Sequence, residues 1–445
     1  MRMVDPAPLL PKRPFAFNLS RRRDAVGAER GTMDHRTGNG TSKRFPRRAL
    51  LGATGGAVLL ASGCGGKKSS PNATATVKPT ETPKPTVTPE PTSTQAPIAS
   101  PVAGYEDATR WAGRTLTIAG WGGDYQDAQN EAYFQPFIAA TGAAIKIATG
   151  DEQRMKDQVD GESVSWDVMT YTSDEVIALG RAKYLEPIDY GVVDKTPLFP
   201  ESILQYGVGT DFFSTVIVYP PDLTPIPQGW MDFWDVKPPV KGEDTDPKQL
   251  RALRQTPVGT LEFALLADGV DIDKLYPLDL DRAFASLDKI KPNVAVWYQD
   301  GKQPVELVVA GEVGMASAWN VRPWQLNKAD QVRFEWYGGM LSADAWVVPR
   351  GAPNKDVAMD FINFATRAVP SANFARLVPF GPANRDSLEL LRPDRANVLP
   401  TSLANRGVQF FQNWNWWADN VDAVTARFQD WLLSKPEPTG TPISG

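Results

Sequence analysis

The sequence predicts an α/β fold, with a parallel sheet covered by helices on both faces. Three observations predict it. Beyond residue 113, short apolar runs alternate with stretches whose apolar residues recur at helical spacing. The run from about Tyr105 to Leu433 is long enough for two lobes. The chain before it lacks the bulky apolar residues that a core requires.

In chain order, the first feature is "RRALLGATGGAVLLASGCGG", from Arg47 to Gly66. Its apolar part is too short for a membrane span, which takes about 20 apolar residues. A basic segment, a short apolar stretch and small residues have the plan of an export signal. Arg47 and Arg48 resemble a twin-arginine signal, and a general secretory route stays open. The long basic run before Met33 makes Met33 the expected start. Ala61-Ser62-Gly63-Cys64 resembles a bacterial lipobox, so Cys64 is expected to carry lipid and to hold the chain at the outer face of the cytoplasmic membrane. The competing reading of Cys64 is a buried structural cysteine, which its place behind a signal-like run disfavours.

Residues 65–104 are rich in Pro, Thr and Ser and read as an extended tether. Up to Cys64 there are 12 of the 47 Lys/Arg and 4 of the 52 Asp/Glu, so the remainder has 35 against 48, a formal charge of −13. Such acidity disfavours nucleic acid, whose binding is driven by basic contacts with phosphate. The lone histidine, His35, precedes Cys64. The chain beyond Cys64 therefore lacks Cys/His metal sites, Cys–His nucleophiles, Ser–His–Asp triads and disulfides, and neither metal nor cofactor is expected. Carboxylate-pair glycosidase chemistry survives this filter.

The folded part opens with a strand at 115–121 and a helix at 124–142 that stops on glycine. Strands at 144–150 and 166–172 come next, then a helix at 173–185. Strands are then expected at 214–220 and 249–256, and helices at 260–269 and 279–291. Further strands are expected at 293–299, 314–320, 332–338 and 342–349, before an amphipathic helix at 354–367. The cluster "NWNWWADN" at 413–420 reads as packing for a C-terminal helix, with one tryptophan reaching the ligand. The last residues, 434–445, read as a flexible tail.

Ligands of open α/β sheets sit beyond the C-terminal ends of strands. Those positions hold Trp121, Asp124 and Tyr125, then Thr172 and Asp174, then Glu262, Trp319 and Asp344. Aromatic faces with carboxylates suit an alkylammonium, each cation–π contact contributing roughly 0.5–2 kcal/mol. Structural alternatives stand beside these readings. Asp174 fits a helix cap, Glu262 a solvated helix position and Trp319 a core residue. Asp344 lies on an apolar strand, where a carboxylate needs a partner. Arg154, Arg254 or Arg322 near the cleft would favour an anionic group on the ligand.

The chain resembles the extracellular solute-binding proteins of ABC importers, and among them the spermidine/putrescine group. The resemblance spans residues 113–433. It is carried by "LTIAGWGGDYQDA", "WDVMTYTSDEVIALGRAKYLEPIDY", "TPVGTLEFALLADGVDIDKLYPLDLDRAF", "GEVGMASAWN" and "DAWVVPRGAPNKDVAMDFINFATR". It implies two lobes joined by crossing strands, one of 105–215 with 345–392 and one of 216–344 with 393–433, closing on a ligand between them. It implies contacts from Trp121, Asp124, Tyr125, Thr172, Asp174, Trp319 and Asp344, with Trp417 as a late contact. Ser342 stands where the group has an aromatic, and Thr256 and Gly259 where it has two acids, leaving Glu262 as the nearby substitute.

The expected function is therefore a monomeric, lipid-anchored binding protein, not an enzyme, that delivers a small cationic amine to a membrane permease. The alternatives are a receptor of the same fold for an amino acid derivative, opine or organic acid, a tethered carbohydrate-active enzyme, and a wall-associated adhesin.

Overall fold

A computed structural model describes residues 96–99, 101–326 and 329–434. Arg47, Arg48, Cys64, most of the expected tether and the tail beyond Ser434 lie outside the described residues. The main strands are β1 (Thr115–Gly120), β2 (Ala144–Thr149), β3 (Val168–Thr172), β4 (Val208–Tyr219), β5 (Arg251–Arg254), β6 (Val294–Tyr298), β7 (Met315–Trp319) and β8 (Arg333–Val347). Their order in the sheet is β2-β1-β3-β8-β4-β7-β5-β6.

β1, β2 and β3 pair in parallel, as do β5, β6 and β7. Between these trios, β8 and β4 run antiparallel to each other and to their outer neighbours. Each parallel trio is covered by helices, which is how a buried sheet satisfies both faces. One lobe's core gathers Leu116, Ile118, Phe134, Phe137, Trp346 and Phe361. The other gathers Leu253, Leu261, Phe263, Leu287, Trp417 and Phe428. β4 and β8 are long enough to serve both lobes, so they join the halves of a two-lobed α/β protein.

Three differences from the expected elements have physical causes. The strands expected at 332–338 and 342–349 are one strand, β8. Thr215 faces Met340 while Ile217 faces Glu335, so residues 336–339 stand opposite Val216 alone. The glycine pair makes this bulge rather than a strand end. Gly338 has φ of 71°, and a Cβ there would approach Trp230 to 2.9 Å. The helix expected at 124–142 is interrupted by one wide turn, Asn130–Phe134, between Gly123–Gln129 and Gln135–Thr141. Pro136 has no N–H to continue the regular ladder there. β4 begins at Val208, six residues before the expected 214, because Gly209 and Asp211 mask the apolar run.

The docked chain also begins earlier than expected. Ile98 exchanges hydrogen bonds with the Asn373 side chain, at 2.8 and 3.1 Å, so the end of the predicted tether lies on the first lobe. At the other end, helix Trp414–Leu433 buries Trp417, Val424 and Phe428 in the second lobe. Its first turns meet helix Ser173–Arg181 of the first lobe, where Arg181 pairs with Asp419 and donates to Asn415. Among the described residues, no helix is long and apolar enough to cross a membrane.

Candidate functional site

The C-terminal ends of the parallel strands and the middles of β4 and β8 converge on one region. From the first lobe, β3 ends at Thr172, the N-cap of helix Ser173–Arg181. Thr172 forms a reciprocal capping box with Glu175, whose Oε2 accepts the Thr172 N–H at 3.0 Å. Asp174 and Glu175 therefore sit at the positive end of a helix dipole. Asp344 on β8 faces Thr172 on one side and Asp211 of β4 on the other. Tyr125, just past β1, donates its hydroxyl to Asp211 Oδ2 at 2.7 Å.

Four carboxyls thus share one acidic pole, and their proton affinities record it. Burial, then the charge of Asp344, raises Asp211 well above its usual value, while the hydrogen bond from Tyr125 and the neighbouring Thr210 hydroxyl act the other way. Burial, then Glu175 and Asp174, raises Asp344 to about 7. Asp174 is raised by burial and held back by bonds from Thr172 and Gln412. Glu175 is exposed, yet the protein around it raises it to about 7, by desolvation first and Asp174 second. Buried like charges cannot all ionise cheaply, so this pole calls for a cation.

The second lobe supplies the opposite pole. β5 ends at Arg254, β7 ends at Trp319, and Arg322 opens the short helix after it. The guanidinium carbons of Arg254 and Arg322 lie over the Trp319 ring, 4.7 and 4.6 Å from its centroid. Arg322 also donates to Gln325 at 2.8 Å, while its buried Nε has no partner. Burial lowers the proton affinity of both arginines; at Arg322 the charge of Asp300 opposes this and the charge of Arg254 adds to it. Glu175 acts on Arg254 in the opposite direction, so the acidic pole and the basic pole sense each other.

An apolar seam joins the two poles. Phe213 of β4 meets Trp319 at 5.7 Å and Phe380 at 6.4 Å, and Phe380 meets Tyr125 at 5.2 Å. Asn320 holds this seam in place: its Oδ1 accepts the Ser214 N–H at 2.8 Å and its Nδ2 donates to the Pro379 carbonyl at 2.9 Å.

The sequence-predicted residues divide accordingly. Tyr125, Thr172, Asp174 and Asp344 come together. Trp319 also arrives, but two guanidiniums cover its ring, so it aligns arginines where it was expected to cover an ammonium. Trp121 stands at the end of β1, 47% exposed, with its Nε1 on the Thr170 carbonyl at 3.3 Å. Asp124 is exposed in the first turn of helix Gly123–Gln129. Arg154 lies over Trp166 at 5.1 Å, on a different helix from the basic pole.

Glu262 and Trp417 form a separate pair. Both are fully buried inside the second lobe, bonded to each other. Glu262 accepts from Trp417 Nε1 at 2.7 Å, from the Gly259 N–H at 2.9 Å and from the Tyr276 hydroxyl. The carboxylate three residues after the helix N-cap is a capping-box signal, and that spacing was visible in "GTLEF".

Sequence reasoning missed Asp211, Glu175, Phe213 and Phe380. Asp211 carried a usable signal, since a carboxylate beside the apolar run "FFSTVIVY" poses the same question as Asp344.

The family model described as bacterial extracellular solute-binding protein matches residues 132–396. The gamma-aminobutyric acid-binding protein of Pseudomonas aeruginosa is 34% identical over 331 residues, 72% of this chain and 91% of that protein. The chain belongs to the bacterial extracellular solute-binding proteins.

A solved GABA receptor superposes on this solute-binding protein with a TM-score of 0.65 at 34% identity, over 74% of this chain and 100% of that one. The spermidine/putrescine-binding periplasmic protein of Escherichia coli is 28% identical over 171 residues, 38% of this chain and 46% of that protein. The polyamine relationship expected from the motifs is thus the more distant one. The solute-binding protein is the receptor component of an ABC importer, not an enzyme, and its partners are a small solute and the importer's permease.

Proposed function

We propose that the ligand is a small ω-amino acid of the 4-aminobutyrate type, captured as a zwitterion. The observation that carries this reading is the pair Arg254 and Arg322 over Trp319, opposite the carboxyl group of Asp174, Glu175, Asp211 and Asp344. The ligand carboxylate meets the guanidiniums, which match it in shape and charge. Its ammonium meets Asp344 and Asp211, and its methylenes lie along Phe213 and Phe380. On β4, Asp211 and Thr215, the register partner of Trp319, are four residues apart, about 13 Å between Cα atoms. Inward-reaching Asp and Arg side chains shorten that span to a short carbon chain.

The residues come from both lobes and from the strands that join them, so ligand favours the closed arrangement and shifts the population toward it. A polyamine has one observation in its favour, the four-carboxyl pole. Its second ammonium would face two guanidiniums, which disfavours it. Export with acylation at Cys64, and delivery as a monomer from the outer face of the membrane, complete the proposal. Intact mass of the membrane-extracted protein tests the anchor: an unmodified Cys64 would remove it.

Thermal shift and calorimetry with 4-aminobutyrate, putrescine and succinate test the ligand. A ligand at 100 times its dissociation constant adds about 2.7 kcal/mol of stability. 4-Aminobutyrate is expected to give that response. A response to putrescine or succinate with none to 4-aminobutyrate overturns the reading.

A further inference from the structure

Asp211 is fully buried, and its two oxygens differ. Oδ2 accepts the Tyr125 hydroxyl at 2.7 Å, whereas buried Oδ1 has no hydrogen-bond partner. Thr210 beside it is the extra residue where the β4 register shifts; its hydroxyl is near enough to favour the ionised Asp211 but makes no hydrogen bond of good geometry. Asp344, the register partner of Asp211, is partly exposed. A buried acceptor without a donor is costly, so the pocket is complete when something brings an N–H or O–H to it.

We propose that Asp211, acting with Asp344, makes the receptor selective for ligands whose cation is a primary ammonium and against N-methylated cations of the same charge. This rests on the ω-amino acid reading and specifies its cationic end. A primary ammonium has three N–H donors, enough for Asp211 Oδ1 and for Asp344 together. Each N-methyl group removes a donor and keeps the charge. A trimethylammonium has none, and methyl groups hold its nitrogen away from the carboxylates.

Recognition of a quaternary cation uses open aromatic faces instead. Here the Trp319 ring is covered by Arg254 and Arg322. The Tyr125 ring is packed edgewise against Phe374 at 5.4 Å and Phe380 at 5.2 Å. The pole therefore recognises donors, and charge alone does not satisfy it.

The test is isothermal titration at pH 8 with 4-aminobutyrate and its N-methyl, N,N-dimethyl and N,N,N-trimethyl derivatives. Affinity is expected to fall at each step, by at least tenfold across the series. A flat or rising series overturns the proposal while leaving the ω-amino acid reading in place. Failure of every member to bind removes that reading and the proposal with it.

Bulk is separated from donor count by Asp211→Asn, whose side-chain oxygen still accepts from Tyr125. It should bind 4-aminobutyrate more weakly and respond less to methylation. A slope as steep as wild type would assign the discrimination to bulk and overturn the proposal. Asp344→Asn gives the same comparison at the more open carboxylate, should Asp211→Asn fail to fold.

Discussion

Replacing Glu262 separates a structural carboxylate from a ligand-binding one. In Glu262→Ala, three donors lose their acceptor: Trp417 Nε1, the Gly259 N–H and the Tyr276 hydroxyl. A stranded buried donor costs about 1–3 kcal/mol. Trp417 and Gly259 are bonded where Glu262 is wholly buried, while the Tyr276 bond is partly buried, so the gross loss is about 3–6 kcal/mol. Removing Glu262 also relieves the desolvation that raises its own carboxyl, which returns part of the loss. A net destabilisation of about 3 kcal/mol is expected, a large share of the 5–15 kcal/mol typical of a folded domain. Glu262→Gln keeps one acceptor oxygen and should lose about 1–2 kcal/mol. Urea unfolding tracked by tryptophan fluorescence reads the midpoint, and titration below the transition reads ligand affinity. The structural reading requires a lowered midpoint with affinity kept within a few-fold. An unchanged midpoint with lost affinity would refute it and return Glu262 to the ligand.

Arg322→Leu should weaken 4-aminobutyrate binding by roughly tenfold or more, since a charge-assisted contact is lost, while butylamine binding stays the same or improves; calorimetry on both compounds reads the contrast. In the empty protein, stability should fall as pH rises from about 4 to about 8. Asp344 is raised from its usual range to about 7, so the folded state binds the proton more readily than the unfolded chain in that window. Its contribution is greatest below the unfolded value and is lost as pH passes the folded one, about 2–4 kcal/mol for a shift of this size. Chemical denaturation across that pH range is the measurement, and Asp344→Asn should flatten the slope.

The fold was legible because its parallel strands and covering helices obey simple periodicities. The two strands that join the lobes were not, and the reason is local. Gly209, Asp211 and the pair Gly338–Gly339 interrupt apolar runs in the sequence, but in the sheet they become register shifts that leave β4 and β8 continuous. The acidic pole was half legible. Asp344 and Asp174 lie on or just beyond the apolar runs that read as strands, whereas Asp211 lies before the run at 214–220, where Gly209 and Asp211 itself mask the start of β4. The basic pole was named only as a condition, because sequence spacing does not tell that Arg254 and Arg322, far apart in the chain, meet over one indole. Glu262 shows the converse: a carboxylate at the right distance from a strand end faces inward when its spacing matches a helix cap.

On the proposed reading, the distribution of charge makes closure and selection one event. Within each pole the charges oppose one another: Asp344 raises Asp211, Asp174 raises Glu175, and Arg254 lowers Arg322. Closing an empty cleft removes water from both groups and strengthens this repulsion, because screening falls with the local dielectric. Water in the open cleft relieves it. A zwitterion neutralises both poles together, so its binding energy is largest in the closed arrangement and the population moves there. Butylamine or butyrate alone neutralises one pole and leaves the other desolvated and repelled. Scattering in solution should therefore show compaction with 4-aminobutyrate and none with either half-ligand at the same occupancy. Compaction by butylamine alone would mean that the acidic pole drives closure unaided, and the role assigned to Arg254 and Arg322 would fall.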